Sequence, residues 1–311
     1  MSVTLHNPSI GDQQVQNSSL LGRLLRGVKQ TWQRRDWASF AGGDWANTIM
    51  DASLTDEFHA KQGRSTARWI MEKDGRRLGV YVKRHYRLPW LSGLLAWLWP
   101  WGNWSPALQE LRNLEWARAH GMPVPNVVAA GQYIGPWGKL QSILAVEELT
   151  DMLPLHQAIP QAQRTLDART FRRWKQGLTR ELARLARKLH SHRCFHKDLY
   201  LCHFFIDRAD VGKLVDWRGR VFLIDFHRLA RHLITWPVWL VKDLGQLLYS
   251  SNIEGVDARD RLRFWRQYQG RPRGHRSIFA RAICFKKSLY ERHNARNKRI
   301  SPRCTIEEPR S

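Results

Sequence analysis

The chain has 311 residues, enough for one large domain or two lobes, and 43% of them are hydrophobic, which excludes a disordered chain. A formal net charge of +24 implies an anionic partner, be it nucleic acid, an acidic membrane face or a phosphorylated substrate; sixteen Trp residues suit surfaces where apolar groups meet polar headgroups. Cys194, Cys202, Cys284 and Cys304 show no CxxC pair and no metal-ligand spacing, so neither a zinc site nor a disulfide framework is expected, and a reducing compartment is the simpler inference.

Residues 1–20 are polar and aperiodic, the pattern of a loose tail, and lack the basic-then-apolar order of a secretory signal, so the active domain is expected to stay in the cytoplasm. From Leu20 to Arg35 the chain is basic and amphipathic at helical spacing. A helix is predicted there, either touching anionic lipid or packed on the body with its basic face in water. Tail and helix together fill residues 1–54.

Next, Ser65 to Met71 and Leu78 to Lys83 read as strands flanking Lys73-Asp74-Gly75, and Asp-Gly between alternating apolar runs predicts a hairpin. Lys83 closes the second strand. The run Val80-Tyr81-Val82-Lys83 looks like the V-A-I-K strand whose Lys neutralises nucleotide phosphates in kinases, although a surface Lys at a strand end is common. His59 to Ser65, with a single Gly, is a poor match to a phosphate-covering loop.

Residues 88–106 carry no charge, follow the basic group Lys83, Arg84, His85 and Arg87, and are dense in Trp. Pro89, Pro100 and Pro106 cut the run below the roughly 20 apolar residues of a spanning helix. The segment reads either as an in-plane element whose Trp side chains dip into a membrane interface or as an insertion packed on the neighbouring lobe. Residues 107–120 are helical in period, begin after Pro106, stop at Gly121, and carry Glu110 and Glu115. Val127 to Gly131 and Ser142 to Leu149 read as strands, the second ending in Glu147 and Glu148, and residues 166–192 form a long helix.

That helix leads into His196-Lys197-Asp198-Leu199-Tyr200-Leu201-Cys202-His203-Phe204-Phe205, and after a turn the apolar run Val221 to Ile224 ends in Asp225-Phe226-His227. Phosphoryl transfer needs one carboxylate to orient or deprotonate the attacking hydroxyl and another to hold the magnesium that bridges the nucleotide phosphates. Asp198 and Asp225 fit those roles; either alone could cap a turn, and it is the two motifs in order that argue for the pair. Protein kinases place Asn five residues after the first Asp, where this chain has His203, a poorer match for magnesium. Arg228 to His232 form a basic run, suited to an anionic acceptor or merely solvated, and Lys242 to Tyr249 read as a helix. Arg-rich helical stretches follow at 262–269 and 278–292, with a frayed tail at 301–311.

The loop motif closely resembles the signature of the lipopolysaccharide kinases, the Kdo kinase and WaaP heptose kinase family, in which His stands in place of Asn and the second motif reads Asp-Leu-His or Asp-Phe-His. The resemblance covers roughly residues 55–251. It implies an α+β, protein-kinase-like bilobal fold: a small β-sheet N-lobe with one helix at 55–148, interrupted by the 88–106 insertion, and a larger, mainly helical C-lobe at 149–300. Lys83, Glu110, Asp198, His203 and Asp225 would then meet at the cleft, with Glu110 ahead of Glu115 as the partner of Lys83. Backbone groups near Glu147 to Leu149 would hydrogen-bond the adenine, and Asp243 would brace the catalytic loop. The cosubstrate would be ATP with Mg2+, the metal on Asp225 with or without His203. The acceptor would be a Kdo or heptose hydroxyl on lipid A, reached from the cytoplasmic face of a Gram-negative inner membrane by a peripheral protein that contacts the anionic surface. No nucleic-acid partner is expected, and the sequence fixes neither the sugar nor the oligomeric state. Two other classes stay open: a kinase for protein or a small soluble acceptor, and a catalytically silent member that binds membrane or RNA through its basic surface.

Overall fold

Residues Met1–Thr150 form one unit built on an antiparallel sheet, and Asp151–Ser311 form a second, mainly helical unit. The structure, a computed structural model, describes residues 12–16, 22, 25–51, 58–59, 64–85, 90–99, 104–135, 140–270 and 276–300.

In the first unit the elements run β1 (Asp12–Gln16), β2 (Val28–Gln33), α1 (Trp37–Ala41), α2 (Trp45–Asp51), β3 (Phe58–His59), β4 (Arg64–Lys73), β5 (Arg76–His85), α3 (Trp90–Leu98), α4 (Pro106–Ala119), β6 (Val127–Ile134) and β7 (Leu140–Glu147). Among the described residues the sheet has seven strands in the order β1-β2-β6-β7-β5-β4-β3. Asp74 and Gly75 both take positive φ, which matches the right-handed twist of the strands they join, and β4 pairs β5 from Lys73↔Arg76 inward as the hairpin reading predicts.

The helix expected over residues 20–35 does not continue past Gly27. From Val28 the chain is β2, paired with β6 from Val28↔Ile134 to Gln33↔Ala129. Gly27, at φ 73°, turns the chain, and the burial of Val28 and Gln30 alternates with period two, a signal that the basic helical pattern upstream obscured. The sheet therefore recruits chain from the segment expected to be tail and helix. Residues 1–11, 60–63 and 301–311, which hold the N-terminal tail, most of the single-glycine loop and the C-terminal tail, lie outside the described residues.

Alternation along β5 decides what each face of the sheet does. Val80 and Val82 are fully buried in a core with Trp37, Trp45 and Ile49 of α1 and α2. Arg84 shares their parity, and its guanidinium is held by the Ile49 carbonyl at 2.9 Å and Ser65 Oγ at 3.0 Å, so this buried cation is satisfied. Lys83 has the opposite parity and meets α4. Helix α4 starts where Ser105 accepts from the Leu108 amide and Pro106 occupies the first turn. Short α3 has two sides: Ala96 is buried with Ile134 and Leu140, while Leu91, Leu95 and Leu98, with Trp99 just past its end, are exposed. Among the described residues, no helix is long and apolar enough to cross a membrane.

The second unit runs β8 (Met152–Pro154), α5 (Leu155–Thr165), α6 (Ala168–Ser191), β9 (Cys194–Phe195), β10 (Phe204–Asp207), β11 (Phe222–Leu223), β12 (Ala230–Arg231), α7 (Trp236–Ser250), α8 (Ala258–Gln269) and α9 (Arg276–Ile300). Helix α6 begins where the Asp167 carboxylate accepts from the amides of Arg169 and Thr170. It buries Trp174, Leu178, Leu182, Leu185 and Leu189 at helical spacing. Trp174 meets Trp217 edge to face at 5.1 Å. Lys175 on the same helix reaches the Asp260 carboxylate and the Gly255 carbonyl, which fixes the start of α8 against α6. Two short ladders, β11-β10-β8 and β12-β9, flank the loop that follows α6.

Candidate active site

The residues between β9 and β10 form a loop stitched to one stripe of α7. The Asp243 carboxylate is fully buried and accepts from the amides of His196 and Lys197, both at 2.8 Å, with His190 Nε2 at 3.3 Å. Gln246, one turn on, accepts from the Leu199 amide at 3.2 Å and donates to Asp198 Oδ1 at 3.4 Å and the Tyr200 hydroxyl at 3.1 Å. Ser250, a further turn on, accepts from the Leu201 amide at 2.9 Å. The spacing i, i+3, i+7 puts these three side chains on one helical face, so the register of α7 sets the path of the whole loop. Lys197 pays for this path with a left-handed backbone, φ 67°, a strained conformation for a residue with a Cβ.

The Asp198 carboxylate, largely shielded, is gripped by Arg228 Nη1 at 3.1 and 2.9 Å from its two oxygens. Its own carbonyl accepts from His203 Nδ1 at 2.7 Å. A carbonyl cannot donate, so Nδ1 carries the proton and Nε2 is the nitrogen with a lone pair in the neutral ring. Burial works to lower the His203 pKa, but Cys202, the Asp198 carbonyl and the Asp225 carboxylate outweigh it and raise it above its ordinary value. As a cation this ring suits a phosphate oxygen; neutral, Nε2 can meet a metal.

Asp225 follows β11 in a left-handed conformation, φ 66°, ψ 56°, and its Oδ1 accepts from His227 Nδ1 at 2.6 Å. The His203 carbonyl accepts from the Ile224 amide at 3.0 Å, so the loops bearing Asp198 and Asp225 are joined by backbone. His196, fully buried, reaches the Ile224 carbonyl through Nε2 at 2.9 Å and packs edge to face on Phe226. Burial pushes its pKa down, which keeps the ring neutral. Among the described residues no group of three His, Cys, Asp or Glu side chains is arranged to hold a metal. A single carboxylate such as Asp225 is a donor that suits magnesium carried on nucleotide phosphates, which needs only one or two carboxylates from the protein.

In the first unit, Lys83 Nζ lies 2.6 Å from Glu110 Oε1, and Glu110 is buried. Glu115 is exposed to solvent, so α4 offers Lys83 the first of the two candidates. At the end of β7, the Glu147 amide donates to the Asn126 carbonyl at 2.7 Å and the Glu148 amide to Gly79 at 2.9 Å. The Glu147 carboxylate accepts from Arg34 and Asn126, and the Glu148 carboxylate from Arg68. The amides of Glu147 and Glu148 are thus engaged inside this unit, which leaves other backbone groups between Glu147 and Leu149 as those that could face a nucleobase.

A model of the lipopolysaccharide kinase (Kdo/WaaP) family matches residues 56–268, more than half of the chain. The chain belongs to that family. It is a kinase, and ATP is its phosphoryl donor. Lipopolysaccharide core heptose(I) kinase WaaP of Pseudomonas aeruginosa is 31% identical over 214 residues, 68% of this chain and 75% of that protein. WaaP of Escherichia coli K12 is 33% identical over 100 residues, 32% of this chain and 37% of that protein. A solved structure of WaaP in complex with acyl carrier protein aligns with a TM-score of 0.57 at 24% identity over 91% of this chain and 98% of that one, a likeness in fold: the architecture is protein-kinase-like.

For this kinase, sequence alone pointed to Asp198, His203, Asp225, Lys83, Glu110 and the bracing Asp243, and the structure joins the first three through one loop system and Lys83 to Glu110. Gln246, Ser250 and Arg228 were missed as site residues. A helical step from Asp243 finds the first two; Arg228 lies only three residues past Asp225, in the basic run left open between acceptor binding and solvation.

Proposed function

We propose that the chain transfers the γ-phosphoryl group of ATP to a hydroxyl of an inner-core sugar carried on lipid A, with heptose as the first acceptor and Kdo as the second. The observation that carries this reading is the Asp198 loop, held by Asp243, Gln246 and Ser250 and linked by backbone to Asp225, in a chain of this family. Heptose is placed first because the curated relatives are heptose(I) kinases.

Asp198 would accept a hydrogen bond from the sugar hydroxyl and take its proton as the oxygen attacks phosphorus. Gln246 and Arg228 keep the carboxylate aimed while its backbone stays fixed by α7. Lys83, positioned by Glu110, would place its charge on the nucleotide phosphates, and His203 would donate to a phosphate oxygen in its charged form. Magnesium, when bound, would be held by Asp225 and would offset phosphate charge; Nε2 of His203 would serve it only in the neutral ring, in place of the bond to phosphate. With the amides of Glu147 and Glu148 engaged, the adenine would meet the remaining backbone groups between Glu147 and Leu149.

The place of work is proposed to be the cytoplasmic face of the inner membrane, on its anionic surface. The exposed Leu91, Leu95 and Leu98 of α3, with Trp99 just past its end, support this, because such a face on a short helix suits the headgroup boundary. To test the reaction, the protein is incubated with labelled ATP and lipid A precursors bearing one Kdo, two Kdo, or Kdo plus heptose, and product masses are read. One added phosphate on the heptose-bearing precursor is expected. Absence of transfer to every precursor would sink the proposal.

A further inference from the structure

Between β12 and the middle of α7, within the second unit, the surface departs from the solvated basic face that composition alone would suggest. Leu233, Ile234 and Val238 are 63, 91 and 67% exposed. They neighbour Trp236 and Trp239 in the chain, and both indoles carry cations: Arg193 Cζ lies 4.1 Å from the Trp236 ring centre, and Lys197 and Lys242 Nζ lie 4.5 and 5.3 Å from that of Trp239. Phe279 of α9 stacks on Trp236 from behind, and His232 stacks on Trp239 at 4.6 Å, so the indoles are fixed in place. Burial, and then the charge of Arg228, lower the pKa of both Lys197 and Lys242.

We propose that this ledge docks on a lipid bilayer surface that carries anionic headgroups. Leu233, Ile234 and Val238 enter the boundary between headgroups and acyl chains, and Arg193, Lys197, Arg231 and Lys242 meet lipid phosphates around them. Exposed aliphatics ringed by cations and half-buried Trp match the chemistry of that boundary. A second copy of this chain fits worse, because a two-fold contact through this face would set like charges against each other. Single-stranded nucleic acid fits worse as well, since it stacks bases on open aromatic faces and these are already covered. The position has a consequence for the reaction: Lys197 precedes Asp198 and is pinned by the same Asp243, so a bilayer held by this ledge brings lipid-borne acceptors to the catalytic loop. That consequence rests on the kinase reading above; the docking itself does not.

The test is flotation of the full chain with vesicles of phosphatidylcholine alone or mixed equally with phosphatidylglycerol, comparing wild type, Ile234→Glu, and the double variant Leu233→Ser with Val238→Ser. Helix α3 is present in every protein, so the comparison isolates the ledge. Affinity for the anionic vesicles should fall roughly tenfold in each variant, about 1.4 kcal/mol, with thermal unfolding unchanged because these side chains are solvent-exposed. Unchanged affinity would overturn the proposal, as would equal binding of wild type to neutral vesicles, or a wild-type dimer in light scattering that Ile234→Glu dissolves. Both variants should phosphorylate a deacylated, water-soluble core sugar at the wild-type rate. If wild type phosphorylates no core sugar at all, the kinase reading fails alone and flotation still decides the surface.

Discussion

The two units hold their reactive groups by different means. In the first, Lys83 meets a side chain reaching across from α4, an ion pair between a strand and a helix. In the second, Asp198 is set chiefly through its backbone: α7 holds the amides of His196, Lys197, Leu199 and Leu201, and the carboxylate is trimmed into place by Arg228 and Gln246. A group that must offset diffuse phosphate charge tolerates some freedom, whereas one that must meet a single hydroxyl proton does not, since misplacement by about 1 Å can cost a hundredfold in rate.

The sharpest way to break this comparison is to remove chemistry without touching position. Asp198→Asn keeps the shape and the acceptor oxygen that meets Gln246, gives up one of the two contacts with Arg228, and cannot take a proton, so turnover should fall on the order of a thousandfold. Nucleotide affinity, measured by calorimetry, should stay near wild type. A variant with more than a tenth of wild-type turnover would remove Asp198 from its role.

Next comes the scaffold. Asp243→Ala strips two buried amides of their acceptor, and each unsatisfied group costs about 1–3 kcal/mol. Urea unfolding should therefore show a loss of about 3 kcal/mol or more, with transfer impaired in the protein that remains folded. Asp243→Asn, which keeps one acceptor oxygen, should fall between. If Asp243→Ala left both stability and turnover intact, the loop would owe its path to something other than α7.

The pair in the first unit should respond less. Lys83→Met should weaken ATP binding about tenfold or more, the scale of one charged hydrogen bond, and Glu110→Gln should weaken it less because the ammonium stays. Equal and large effects on global stability in both variants would instead mark the pair as structural, as Lys175 with Asp260 is in the second unit.

Sequence carried the parts whose meaning is local. The Asp74-Gly75 turn, the parity that separates Lys83 from Val82, and the contiguous run from His196 to Phe205 can be read without knowing what lies opposite. Glu110 and Asp243 were legible through the resemblance to the kinase family, which gives each a place on its helix. Arg228, Gln246 and Ser250 matter only through partners some 30 to 50 residues away, and the helical step that links the last two to Asp243 does not say what they touch. The left-handed backbone at Lys197 and Asp225 has the same origin, because tertiary hydrogen bonds rather than residue type impose it. β2 was misread for a related reason: basic residues at helical spacing upstream of Gly27 outweighed a six-residue strand that pairing with β6 stabilises.

The smallest effect concerns α5, away from the loop. The His156 ring has a buried Nδ1 with no hydrogen-bond partner among the described residues, and burial lowers its pKa in the folded protein. Unfolding frees the ring, so as pH falls through the ordinary imidazole range the unfolded chain takes up a proton that the folded one still refuses. Stability from this site is complete above that range and declines as the solution is made acidic. His196 and His232, lowered by burial as well, act in the same direction, so the wild-type slope is a sum. His156→Leu should retain the contributions of the other two and unfold in urea with a shallower decline between about pH 8 and pH 5. Identical slopes in the two proteins would mean that His156 finds a partner or water when folded, and would assign the acid sensitivity of this unit to the histidines around the catalytic loop.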